Sequence, residues 1–176
     1  MTTEAKRDEK RLVQGFEWVS SMILALLTVA VIFTFLFRVV TVSGDSMKNT
    51  LQNKDTLLLS SLFYTPERGD IVVIHHQGEE PLIKRVIAVG GDRLRIEEES
   101  GAVYLNGELL EEPFVLGGIT PTFGMEEEVL VPDGCLFAMG DNRSESKDSR
   151  MLGVFSLKEV MGEVIFRLSP RFGKID

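Results

Sequence analysis

From Trp18 to Phe37 the chain carries twenty consecutive uncharged residues, WVSSMILALLTVAVIFTFLF. Wound as an α-helix at about 1.5 Å per residue, this run spans about 30 Å, the thickness of a bilayer's hydrocarbon core. A cleaved leader would have a shorter apolar stretch, about 7–15 residues, followed by a small-residue cut site. Here the run instead ends in Phe35, Leu36 and Phe37 and meets Arg38. The reading is a permanent transmembrane helix over 18–37.

Basic residues near the helix set its orientation. Lys6, Arg7, Lys10 and Arg11 precede it, while Arg38, Lys48 and Lys54 follow. The bias places segment 1–17 in the cytoplasm and domain 38–176 outside the cell membrane. The net charge of -8 sits entirely in that outer domain, which holds 15 basic and 23 acidic residues. An acidic chain excludes nucleic acid as a natural partner, because phosphate contacts need clustered Lys and Arg. One cysteine, Cys135, and two adjacent histidines, His75 and His76, give no disulfide framework and no metal-ligand set. No cofactor is expected.

Beyond the helix the chain reads as mostly β. Short runs rich in Val, Ile and Leu, punctuated by Gly, Pro, Asn and Asp, predict strands at 38–42, 56–60, 70–75, 82–89, 93–97, 102–105, 128–131, 136–139 and 163–168. Asn106-Gly107 predicts a hairpin turn. Ser156 with Glu159 three residues on predicts a capped helical turn over 156–160. The acidic runs 97–99, 111–112 and 126–128 mark a small peripheral insert at about 97–131, read as a solvated face.

Three stretches carry candidate chemistry: 42–51, 82–92 and 140–150. Strict alternation puts Lys84 on one face with Leu82, Val86 and Ala88. Burial disfavours an ammonium and lowers its pKa, which makes a lysine able to act as a base. Snorkelling to the sheet edge is the competing fate. Ser46, in the turn Ser43-Gly-Asp-Ser46, is the candidate nucleophile. In the third stretch Arg143 and Arg150 are placed to pair with Asp141 and Asp148, and Ser144 or Ser146 to orient the lysine. His75 or His76 with Asp70 or Asp141 offers a Ser-His-Asp alternative, although a G-x-S-x-G elbow is absent around Ser46.

Together these stretches resemble the bacterial type I signal peptidases, Ser/Lys-dyad serine proteases, in their Gram-positive-like branch. The nucleophile box, near S-M-x-P-T-L in the family, reads Ser46-Met-Lys-Asn-Thr-Leu51. The lysine box, near K-R-V-I-G-x-P-G-D, reads Lys84-Arg-Val-Ile-Ala-Val-Gly-Gly-Asp92. Arg68-Gly-Asp-Ile-Val-Val73 matches R-G-D-I-V-V, and Gly140 to Arg150 matches G-D-N-R-x-x-S-x-D-S-R in full. The departures are Asn49 for Pro, Ala88 for Gly and Gly90 for Pro, with Gly44 where some members have a serine oxyanion donor.

The resemblance implies a signal-peptidase-like β catalytic core with a small β insert. It implies cleavage of signal peptides from exported preproteins, with Ser46 and Lys84 catalytic. It further implies Ser146 orienting Lys84 by a hydrogen bond, the Ser46 backbone N–H as oxyanion donor, and Asp148 paired with Arg150. Small residues before the cut would fill a pocket of Val42, Met47, Leu51, Leu82 and Ile83. The patches 62–64, Phe114 and Phe123 are candidates for lipid contact, with core packing as the competing fate.

Overall fold

The computed structural model describes residues 3–175, apart from 62, 63, 77, 79, 118 and 126. The chain divides into two compact units, Met1–Phe37 and Arg38–Asp176.

The first unit is one helix, α1 (Thr3–Leu36). Its window Val13–Thr34 has a mean hydropathy of 2.1 and buries nothing against protein. By length and composition it is able to cross a membrane. The hydroxyls of Ser20, Thr28 and Thr34 donate to the carbonyls of Phe16, Leu24 and Ala30, one turn back. That satisfies them inside the helix, as an apolar solvent demands. The helix begins well before the apolar run because residues 3–17 are rich in Glu, Ala, Lys and Arg, which favour helix without tertiary help.

The second unit holds two sheets. The larger runs β1 (Phe37–Thr41), β2 (Thr56–Ser60), β11 (Val160–Ser169), β3 (Ile71–Ile74), β4 (Leu82–Val89), β9 (Cys135–Met139) and β10 (Phe155–Ser156), with β12 (Gly173–Lys174) against β11. The smaller has the order β7 (Glu108–Leu109), β6 (Val103–Leu105), β5 (Arg93–Ile96) and β8 (Val129–Leu130). The protein is mostly β with one N-terminal apolar helix able to span a membrane. Asn106 and Gly107 turn the β6–β7 hairpin with φ of 54° and 86°, the signs a type I′ turn requires.

Alternation sorts the core. In β3, Ile71 and Val73 join Met47, Leu51, Leu57 and Ile83, whereas Val72 and Ile74 join Val86, Ala138 and Phe155 on the opposite face. Burying β3 on both faces makes the middle of the sheet rigid, and that middle carries Lys84. A third cluster, with Ile87, Ala88, Leu94 and Phe137, welds the small sheet to the large one.

Strict alternation fails within β4. Ala88 does not share a cluster with Val86; it packs with its neighbour Ile87. The register against β9 shifts between Val86 and Ala88, so a bulge lets two adjacent side chains enter one core.

The turn at 157–159 is capped as expected. Ser156 Oγ accepts from Lys158 N–H, and Ser156 N–H donates to the Glu159 carboxylate at 2.8 Å.

Candidate active site

The turn that carries Ser46 is pinned from behind. Thr50 and Leu51 N–H donate to the Met47 carbonyl at 3.1 and 2.8 Å, and Lys48 N–H donates to Asp45 at 3.0 Å. Met47 and Leu51 are plugs in the core cluster beneath it. Asn49 takes φ of +98°, which proline cannot adopt, and its amide donates to the Phe114 carbonyl at 3.0 Å. The departure from the family's proline therefore accompanies a different local backbone. Gly44 has φ of +89°, so a serine there would strain the chain. At Gly90 an added Cβ would come within 3.0 Å of Asp133 Cα.

This turn presents Ser46 to β4. Lys84 Nζ lies 2.8 Å from Ser46 Oγ, the separation of a direct hydrogen bond. The Lys84 residue is only 2% exposed, so it does not snorkel. Burial pushes its pKa down to about 8, with the negative charge of Asp148 opposing the shift. The ammonium still predominates at pH 7, and the neutral amine becomes the main form only above about pH 8, far sooner than for an exposed lysine.

The third stretch is a buried ionic scaffold, wired differently from the sequence expectation. Asp148 and Arg150 do pair, at 2.8 Å, both side chains fully buried. Asp141, however, does not take Arg143. It takes Arg85, through two hydrogen bonds of 2.9 and 2.8 Å, and Thr50 Oγ1 at 2.5 Å. Arg143 turns to the insert, where Glu112 receives it at 2.9 and 2.5 Å and Thr120 Oγ1 at 2.9 Å. Glu112 is thus a largely covered ion-pair partner, its side chain 10% exposed, and not part of a solvated acidic face. Arg85, on the strand next to Asp141, grips both carboxylate oxygens in a bidentate pair, while Arg143 points to Glu112.

Ser146 is also corrected. Its Oγ is buried with no hydrogen-bond partner among the described residues, so it does not hydrogen-bond Lys84. It lies over Gly140, where an added Cβ would meet Ser146 Oγ and the Ser46 carbonyl within 2.4 Å. Burial pushes the Asp148 carboxyl up, and the hydrogen bonds and charge of Arg150 overcome that and hold it below the usual range.

A cleft of about 420 Å³ opens beside Ser46 and Lys84, lined by Val42, Met47, Leu82 and Ile83. Leu51 is not on its wall. It is 0% exposed and packs behind Met47, because the turn closes over it. Pairing between β4 and β9 starts at Arg85 with Met139, so Leu82–Lys84 bond only β3 among the described strands.

The histidines are elsewhere. His76 Nδ1 is 3.4 Å from Glu159, with its ring edge-on to Phe155. Asp70 accepts from Tyr64 and from the Glu67 N–H. The Arg85 guanidinium lies 4.1 Å from the Phe114 ring centroid, and that of Arg150 lies 4.7 Å from the centroid of Phe123, which stays 43% exposed. Leu62 and Phe63 lie outside the described residues.

A profile described as signal peptidase, peptidase S26, matches residues 15–169. The chain belongs to the signal peptidase family, peptidase S26. It is 35% identical to signal peptidase I of Bacillus caldolyticus over 94% of both chains. It is 30% identical to signal peptidase IB of Staphylococcus aureus, over 88% of this chain and 89% of that one. A crystal structure of a signal peptidase I from Enterococcus faecalis matches 57% of this chain and 97% of its own, with 23% identity and a TM-score of 0.45. Membership in this family makes the chain a serine peptidase.

Proposed function

We propose that this chain is a membrane-anchored endopeptidase that removes signal peptides from exported preproteins, with Ser46 as nucleophile and Lys84 as general base. The observation that carries the assignment is the 2.8 Å contact between Ser46 Oγ and a lysine amine that is nearly solvent-free. Neutral Lys84 takes the Ser46 proton as Oγ attacks the scissile carbonyl. The resulting ammonium returns that proton to the leaving amine. The amine then deprotonates the water that clears the acyl-enzyme. The Ser46 backbone N–H stabilises the oxyanion.

The substrate lies extended along Leu82–Lys84, adding a strand where β9 leaves that edge open. Val42, Met47, Leu82 and Ile83 give the cleft short apolar walls, which suit small alkyl side chains before the cut. Helix 18–37 anchors the enzyme in the cell membrane, with 1–17 cytoplasmic and 38–176 outside. Anchoring raises the effective concentration of substrates that are themselves membrane-bound.

The test is cleavage of a model preprotein by the detergent-solubilised full chain. Ser46→Ala and Lys84→Ala should each abolish cleavage, while the His75→Ala/His76→Ala double variant keeps it within about twofold. Activity that survives Lys84→Ala but disappears with the histidines would overturn the dyad.

A further inference from the structure

Asn142 brackets the nucleophile from both sides. Its backbone N–H donates to the Ser46 carbonyl at 3.0 Å. Its side-chain amide donates to the Asp45 carbonyl at 3.1 Å. The chemistry fixes which end of the amide faces Asp45, since a carbonyl oxygen only accepts. Ser144 Oγ lies 3.4 Å from the other end, Asn142 Oδ1. The residue is 6% exposed, so water does not readily replace these bonds.

The Asp45 carbonyl belongs to the same peptide unit as the Ser46 N–H. That unit is planar and trans, so its C=O and N–H point in opposite directions. Holding the carbonyl toward Asn142 therefore aims the Ser46 N–H away from Asn142. Lys48 N–H, the other donor to that carbonyl, is local to the turn and moves with it. Asn142 is different, because it is mounted beyond β9, between Asp141 and Arg143, which are locked by Arg85 and Glu112. It ties the turn to a part of the fold that does not move with the turn.

We propose that Asn142 is a positioning residue that sets the direction of the Ser46 N–H, and through it the oxyanion site. This rests on the reading of Ser46 as nucleophile. It has a clear physical consequence. Losing the side-chain bond leaves the dyad and the cleft in place but loosens the donor on which developing negative charge depends. Removing an oxyanion donor outright slows catalysis about 10²–10³-fold, so misaiming one should slow it about 10–100-fold.

The experiment compares full-chain wild type, Asn142→Ala and the near-isosteric Asn142→Asp in detergent. Both variants retain the backbone N–H bond to Ser46. The readouts are kcat and KM on a model preprotein, and inhibition by two matched peptides. One ends in an aldehyde, which adds Ser46 Oγ across its C=O to give a hemiacetal oxygen in the oxyanion site. The other ends in the corresponding alcohol, which cannot form that adduct. The expected result is a 10–100-fold loss in kcat and in aldehyde affinity, with KM and alcohol affinity within about threefold. The pH midpoint of the reaction should stay where Lys84 puts it.

Equal loss of aldehyde and alcohol binding, or unchanged kcat, would overturn the inference. Should Asn142→Ala fold poorly, Asn142→Asp carries the test alone, with its carboxylate turned against the Asp45 carbonyl. Ser46→Ala and Lys84→Ala run in parallel separate the two claims. If either of those cleaves normally, the dyad itself is wrong. If both are dead and Asn142→Asp is fully active, only the positioning role is wrong.

Discussion

Lys84→Met should leave the enzyme without measurable cleavage and yet make it more stable. The activity loss follows from removing the base that faces Ser46 Oγ at 2.8 Å; general-base catalysis is worth about 10²–10⁴-fold. The stability gain follows from linkage. Burial lowers the Lys84 pKa from 10.5 to about 8, so the folded state gives up its proton more readily than the unfolded state. Below pH 8 both states are protonated, and the folded state bears the full cost of a buried ammonium. Between pH 8 and 10.5 the unfolded state binds more protons, so stability rises with pH and the cost fades. At about 1.4 kcal/mol per pH unit, the penalty near neutral pH is about 3 kcal/mol. Methionine keeps the apolar stem and removes the charge. Urea unfolding of the full chain in mild detergent should show the variant more stable at pH 7, with the difference largely gone at pH 10.5. Equal stability at both pH values would mean that Lys84 is not desolvated.

Asp148→Asn should be among the most damaging single changes in the outer domain. The Asp148–Arg150 pair is 0% exposed on both sides, and the carboxylate also receives the Gly140 N–H at 3.0 Å. Removing the charge strands a buried guanidinium, at a cost of about 3–5 kcal/mol. The Arg93–Glu128 pair makes the control. At 59% and 42% exposure it sits in water, and breaking it should cost under about 1 kcal/mol. Urea midpoints of the two variants measure the difference. The pH dependence has a sign as well. The Asp148 carboxyl is held below its usual range, against the pull of burial, by Arg150. Its stabilisation is present above the ordinary carboxylate pKa and is lost as pH falls through the folded value. Asp148 also raises the Lys84 pKa, so any residual activity of the variant should shift to lower pH.

Much of the site was legible because its chemistry is local in sequence. Ser46 in a glycine turn, Lys84 in an apolar strand and the polar stretch 140–150 each break a pattern, and the fold brings all three together. Strand identity was legible wherever hydrophobic runs were four residues or longer. β10 and β12 have two residues each and form only because β9 and β11 offer edges. Pairing among ionic residues was legible for Asp148 with Arg150, two residues apart, but not for Asp141 and Arg143. Arg143 meets Glu112, 31 residues earlier, and Asp141 meets Arg85, 56 residues earlier, so nearest-in-sequence matching chose the wrong partners. Leu51 was expected in the pocket only through the family resemblance, but a turn has an inside and Leu51 is on it. Asn142 gave no compositional signal, since its role depends on which peptide unit its amide reaches.

The central claim is that an amine of depressed pKa activates Ser46. The most direct measurement is the pH dependence of acylation, followed as single-turnover release of the signal peptide's downstream product by full-chain enzyme in detergent. The rate should rise with one ionisation near pH 8 and level off above it, because only neutral Lys84 accepts the serine proton. The same midpoint should persist in the His75→Ala/His76→Ala variant. A midpoint near 6.5 that vanishes in that variant would mean a histidine base, and it would contradict the assignment of Lys84.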